Sequence, residues 1–264
     1  MSYSYSRVST HNECPYKYKL LYIDKLEPKP DLRPNNPLFI GTAGHTGIET
    51  RDIEKAVESY KSNYNELTID NEIEIYKLRK MVEKANEQIP EGEYEYKIAY
   101  SDGFIGYIDE LVKVDEGVYD LYDFKFSQSA SKYKSSPQVH IYKYFYEKLT
   151  GNTIRDMYFA VIPKVPEVLN EEMNQEKLIQ LIDETYKKKG VQFIKIEYDP
   201  MQIKYFFAKK SLMDKSDKLG IYEKRYSTMC RWCPLQKYCQ TNGTDKSELV
   251  EKENELKVEE ISLF

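Results

Sequence analysis

The stretch Gly103–Phe126, GFIGYIDELVKVDEGVYDLYDFKF, decides how this chain is read. Glu116–Gly117 divides it into GFIGYIDELVKV and VYDLYDFKF, two runs of strand length rich in Ile, Val, Tyr and Phe, and the Glu-Gly pair suits a tight turn. Asp102–Gly103 makes a second such turn, and EYEYKIAY before it alternates with a period of two. Residues 93–126 therefore read as a three-stranded meander. Asp123 and Lys125 lie two apart on one strand and share a face, while Phe124 points the opposite way into a core. Asp109 sits in mid-strand between apolar neighbours, which is unfavourable for a carboxylate unless it is paired or liganded.

Two aspartates on neighbouring strands with a lysine beside one of them form a compact acidic site. Such a pair could hold Mg²⁺ or Mn²⁺ through hard oxygen ligands. The ion would polarise a phosphate and acidify a bound water, and Lys125 would orient that water or offset phosphate charge. The plainer alternative is a salt bridge from either aspartate to Lys125 on an exposed sheet face.

Around the meander the pattern is helical. SYSRVSTHNE reads as a short helix capped by Ser4 or Ser6. Pro15 suits the first turn of a second helix, PYKYKLLYIDKL. EPKPDLRPNNP is a proline-rich loop. LFIGTAGHTGIETRDIEKAVESYKSNY reads as one long helix, and residues 66–88 as another. Beyond the meander come a helix at 137–150, a strand MYFAVI, and helices near 174–188 and 200–217. The fold class is α/β, a mixed central sheet flanked by helices, with no internal repeat. Residues 243–264 read as a charged tail after a folded region of 1–242.

The whole chain carries a net charge of −5, which argues against an indiscriminate polyanion binder. The charge is uneven: residues 203–237 hold nine Lys/Arg against three Asp/Glu, and residues 241–264 hold three Lys against seven Asp/Glu. Phosphate binding needs only a local basic surface; a solvated helix face accounts for the same lysines. The 25 tyrosines suit half-buried strands and base stacking, but an A+T-rich coding sequence would enrich them as well. No apolar run approaches the ~20 residues of a membrane span, and the N-terminal stretch lacks the apolar core of a secretory signal. A cytoplasmic protein with reduced cysteines and no membrane partner is expected.

The chain has four cysteines, and three of them fall in CRWCPLQKYC, Cys230–Cys239. Cys14 completes a set of four thiolates with Cys230, Cys233 and Cys239. From the residues alone, Zn²⁺ and an iron–sulfur cluster are equal readings of that set.

Asp109 followed fourteen residues later by DFK resembles the PD-(D/E)XK nuclease superfamily. Further motifs resemble its RecB-like branch. GTAGHTGIE is similar to that branch's upstream helix, with His45 as a metal ligand, and QVHIY to its Q-x-x-x-Y motif, here Gln138 and Tyr142. NECPYKYKLLYI and C-x₂-C-x₅-C resemble the two cysteine segments of its iron–sulfur members. Together they span residues 6–239, and the nearest subgroup is that of the CRISPR-associated RecB-like exonucleases and their phage relatives; the nuclease domain of AddB has a related cluster. The resemblance implies a restriction-endonuclease-like core and a metal-dependent DNA exonuclease preferring single strands, in a bacterial or phage-infected cell. It implies that His45, Asp109, Asp123 and the Phe124 carbonyl bind Mg²⁺ or Mn²⁺, that Lys125 is catalytic, and that Gln138 and Tyr142 position the strand. It implies a [4Fe–4S] cluster on Cys14, Cys230, Cys233 and Cys239, tying residues 216 positions apart.

Other residues have competing readings. Glu49, one turn after His45, could hydrogen-bond it or cap a solvated face. His11 and His140 are surface or packing residues. Lys132, Tyr133 and Lys134, in a Ser/Lys-rich loop after Lys125, could contact a single strand or belong to a linker. The terminal EISLF resembles the bacterial sliding-clamp-binding pentapeptide, with Glu260 in place of its glutamine. Ile261, Leu263 and Phe264 would be the anchors, and packing back onto the domain is the alternative. Partners in recombination, repair or CRISPR adaptation fit the same resemblance. A catalytically inactive DNA-binding or adaptor protein, or a zinc-stabilised structural protein, are the other function classes.

Overall fold

The structure is a computed structural model, and it describes residues 2–250. It divides into two compact units, Met1–Val8 with Asp31–Asp214 and Ser9–Pro30 with Lys215–Phe264. The first is built on one five-stranded sheet of order β1-β2-β3-β4-β5. The strands are β1 (Glu93–Ala99), β2 (Ile105–Asp115), β3 (Val118–Phe126), β4 (Thr153–Ile162) and β5 (Gln192–Ile196). β1, β2 and β3 form the antiparallel meander; β3 and β4 run parallel, and β5 returns antiparallel to β4. A parallel pair needs a crossover, and α6 (Gln138–Thr150) supplies it, ending where Gly151 takes the left-handed conformation, φ 74°.

The helices before the sheet are α1 (Tyr5–Glu13), α2 (Pro15–Tyr18, continuing as a π-helical turn Lys19–Ile23), α3 (Pro37–Glu49), α4 (Ile53–Lys61) and α5 (Ile69–Gln88). Those after β4 are α7 (Gln175–Lys188), α8 (Pro200–Leu219) and α9 (Gln236–Gln240). Their starts follow the chemistry of capping. Arg7 N–H donates to Ser4 Oγ at 3.2 Å, Leu38 N–H to Asn36 Oδ1 at 2.8 Å, and Thr68 forms a reciprocal box with Asn71.

The single helix expected across 38–64 is two helices. Arg51 adopts φ 53°, and Asp52 then accepts from Glu54 N–H at 2.8 Å to cap α4. The left-handed arginine is held from its far end. Its guanidinium donates to Tyr94 Oη and to the carbonyls of Asn86, Ile89 and Pro90 at 2.7–3.0 Å. β5 also departs from the sequence reading, which placed no strand there. It is an edge strand with Phe193 exposed on one side, so its alternation is short and half-polar.

One face of the sheet carries Tyr122, Phe124, Phe126, Ala160 and Ile162, and packs against α3, α4, α5 and α7 in the largest apolar cluster. The opposite face carries α6, with Val139, Ile141 and Phe145 buried and Phe145 stacked on Phe104 at 3.8 Å between ring centroids. In the second unit, Leu20, Leu235 and Leu249 form a small core. Residues 243–250, the start of the stretch read as a tail, are held there. Lys29 N–H donates to Glu248 O at 2.7 Å and Val250 N–H to Glu27 O at 2.8 Å. Ile261, Leu263 and Phe264 lie outside the described residues. Among the described residues no helix is long and apolar enough to cross a membrane.

Candidate active site and cysteine centre

The β2–β3 ladder pairs Glu110 with Tyr122, and Asp109 and Asp123 stand one step further along. Residues opposite one another share a face, so both carboxylates stand on the same side of the sheet. Beyond the paired region Phe124 N–H is available, and it donates to Asp109 Oδ2 at 2.6 Å. Asp123 is buried, 1% exposed, and Lys125 is its ion-pair partner. Apart from the Lys125 ammonium, no group among the described residues donates a hydrogen bond to either Asp123 oxygen. Burial pushes Asp109 up to about 7; burial, with the Asp109 charge adding to it, pushes Asp123 up to about 7. Burial disfavours the Lys125 ammonium, but Asp123 and Asp109 outweigh it, and its pKa is raised. The lysine is therefore a cation at neutral pH.

His45 comes from α3, with Nδ1 3.9 Å from Asp109 Oδ1 and 3.9 Å from Glu49 Oε1. Its ring lies 5.6 Å from that of Phe124, and burial lowers its pKa, favouring the neutral imidazole that can ligate a metal. Gly44 permits this approach: a methyl there would meet the Phe126 ring at 2.2 Å.

A further acidic residue was not singled out from the sequence. Tyr94 and Tyr96 pair with Glu110 and Ile108, which places Glu95 opposite Asp109. Glu95 has φ 51°, and its carboxylate joins that of Glu49 and the imidazole of His45 in a group whose ligand atoms all lie within 4.8 Å of one another. Burial and then Glu95 raise the Glu49 pKa. Counting outward from a two-residue turn at Asp102–Gly103 would set residue 95 against residue 110; the observed register, with Ala99 against Ile105, is one residue different, so the sequence alone did not place Glu95 at the site.

Gln138 and Tyr142 lie on one face of α6, and Gln138 Nε2 donates to Tyr142 Oη at 3.2 Å. Burial and the Asp123 charge hold the phenol protonated. Gly106 leaves room for that ring, since a methyl there would lie 3.0 Å from Tyr142 Cε1. Tyr133 packs on Phe159 at 5.6 Å, and Lys125 lies 5.8 Å from the same ring. Lys132 covers Tyr133 at 4.9 Å. Lys134 is placed elsewhere, in a cleft with His140, Lys195 and Gln202. His140 and His11 are packing residues, accepting from Asp199 N–H at 3.1 Å and lying 2.9 Å from Ser216 Oγ respectively.

The second unit brings the four cysteines around one cavity of about 50 Å³, and none is in a disulfide. Cys14 precedes α2, Cys230 lies in a 3₁₀ turn (Thr228–Trp232), Cys233 ends that turn, and Cys239 lies in α9. Ser227 N–H points at Cys230 Sγ at 3.4 Å. Burial raises the thiols of Cys233 and Cys239, opposed by Lys17 and Lys224 respectively. Among the described residues the His45–Glu49–Glu95 group is the one whose ligand atoms all fall within 4.8 Å of one another; neither three of the cysteine sulfurs nor His45, Asp109 and Asp123 together are gathered so closely.

The profile of the PD-(D/E)XK nuclease superfamily matches residues 2–240. No curated relative matches the sequence. Among solved structures, one from Eubacterium rectale, given as a candidate exonuclease, is similar with TM-score 0.49 at 12% identity, covering 86% of this chain and 91% of that one. The protein SSO0001 is similar with TM-score 0.34 at 11% identity, covering 83% of this chain and 90% of that one.

Proposed function

Because the chain belongs to the PD-(D/E)XK nuclease superfamily, we propose that it is a divalent-metal-dependent deoxyribonuclease of the RecB-like branch, an exonuclease acting on single strands or free DNA ends. The observation that carries this reading is Asp123, a buried carboxylate with no hydrogen-bond donor other than the lysine two residues on. A buried carboxylate left so is costly unless a cation completes it. His45, Asp109 and Asp123, with the Phe124 carbonyl, would hold Mg²⁺ or Mn²⁺. Bound there, the ion supplies positive charge at the scissile phosphate and acidifies a water.

The residues of the chain divide the remaining work. Phe124 N–H fixes Asp109 so that one oxygen stays available. Lys125, held as an ammonium, offsets phosphate charge and orients the attacking water; as a cation it is not the general base. Gln138 and Tyr142 donate toward the DNA backbone, and Tyr133 with Lys132 engages a base and a phosphate. A DNA-binding protein without catalysis would have no use for Asp109, Asp123 and Lys125 together.

The four cysteines are proposed to hold a [4Fe–4S] cluster, which takes four thiolates; what supports this over Zn²⁺ is the resemblance of both cysteine segments to those of the iron–sulfur members, together with the lining of one cavity by all four. Ile261, Leu263 and Phe264 are proposed to dock in the bacterial sliding clamp, and deletion of 260–264 should abolish clamp capture while sparing cleavage of free DNA. The activity test compares linear with circular single strands in Mn²⁺, with iron counted in the same anaerobic preparation. Degradation of the linear form alone supports an exonuclease; cleavage of neither form despite full iron loading overturns the reading.

A further inference from the structure

Unit two exposes aromatic and apolar side chains that its fold does not use. Tyr226 is 76% exposed, Trp232 68% and Met229 54%. All three border the single 3₁₀ turn that carries Cys230. Their neighbours are basic: residues 221–237 contain Lys224, Arg225, Arg231 and Lys237 against Glu223 alone. Arg231 is exposed, and its Nε donates to Thr228 O at 3.2 Å; no carboxylate pairs with it among the described residues. Lys237 is likewise exposed and its ammonium makes no ion pair among them, although its backbone N–H donates to Glu248 Oε2 at 2.8 Å and its charge acts on Asp245.

We infer that this turn is a second contact surface for unpaired DNA, with bases stacking on Tyr226 and Trp232 and phosphates meeting Arg231 and Lys237. The charge argues for that occupant. An apolar protein partner would have to desolvate the cations, whereas a polynucleotide presents an aromatic face and an anion at every step. The pair Arg231–Trp232 presents that alternation, whereas Arg225, beside Tyr226, is engaged by Glu223 at 3.5 Å and by the Asn12 carbonyl at 2.6 Å. The inference rests on the nuclease reading and extends its substrate contacts beyond the carboxylate site.

The test measures binding of a fluorescein-labelled oligothymidylate by anisotropy, using the full chain in EDTA so that nothing is cut. Trp232→Ala and Tyr226→Ala should each weaken binding about tenfold. Arg231→Ala should weaken it and reduce the dependence of log affinity on log salt by about one. Trp232→Phe should retain most of the affinity, and Leu212→Ala, a comparably exposed residue of α8, all of it. Photocrosslinking with 5-iodouracil in the oligonucleotide should label Tyr226 or Trp232. Unchanged affinity in both alanine variants, with iron content and melting temperature intact, overturns the inference while leaving the nuclease reading standing. A change in self-association on Trp232→Ala, with DNA affinity unmoved, overturns it in favour of a protein contact. A wild-type chain that neither binds nor cuts single strands refutes both.

Discussion

Replacing Asp109 by Asn should stabilise the metal-free protein and at the same time end its activity. The carboxylate is carried from 3.8 to about 7 by burial, against the opposing pull of Lys125 and Phe124 N–H. A carboxyl whose folded pKa is raised supports stability in its protonated form, and that support is lost as pH rises through about 7. The full distance corresponds to at most about 4 kcal/mol above pH 7. Asparagine carries no such cost and can still accept from Phe124 N–H, while Lys125 keeps Asp123 as its partner. Between about pH 5.5 and pH 8 the advantage of the variant should grow by about 2 kcal/mol, nearly all of it below about pH 7, because there the unfolded wild type is already ionised while the folded carboxyl is still protonated. Each kcal/mol moves Tm by about 2–4 °C in a domain of this size. Urea and thermal unfolding in EDTA at the two pH values measure it. Adding Mn²⁺ should raise the Tm of the wild type and leave that of the variant unchanged. A variant less stable than wild type at pH 8, or a gain independent of pH, would refute the reasoning.

Three further outcomes are expected. Gly47→Ala should cost about 1–3 kcal/mol, read by denaturant midpoint, because the new methyl would lie 2.7 Å from Val82 and 2.8 Å from Ala56 at the junction of α3, α4 and α5. On the proposed iron–sulfur reading, Cys14→Ala should show no iron and no colour and melt at lower temperature than wild type, since the variant would lack one of four cluster ligands and the link between the two cysteine segments. Glu95→Gln should lower metal affinity, measured by Mn²⁺ titration, while Glu49→Gln at the rim of the same group has the smaller effect.

The strands of the meander and the shared face of Asp123 and Lys125 were legible because period-two alternation and two glycine turns mark them. The pairing of Asp109 with Asp123 and of Glu95 with Asp109 was not, because each register is one residue off a simple count from its turn, and a shift between Lys113 and Asp115 is what sets 109 against 123. The break at Arg51 is a different matter. Nothing local in ETRDIE demands a left-handed arginine; the conformation is set by carbonyls at Asn86, Ile89 and Pro90, which only the fold brings near. β5 was hidden because an edge strand needs just one apolar side and five residues do not establish a period. The cysteines were legible as a set from their number, whereas the width of their arrangement is a property of the folded loop.

Cleavage of end-labelled single-stranded DNA in Mn²⁺ by wild type, Asp123→Ala and Lys125→Ala, prepared side by side with iron counted in each, tests the central claim most directly. Degradation by the wild type, its loss in both variants and equal iron in all three are the predicted result. Equal degradation by all three would place the chemistry elsewhere and contradict the account.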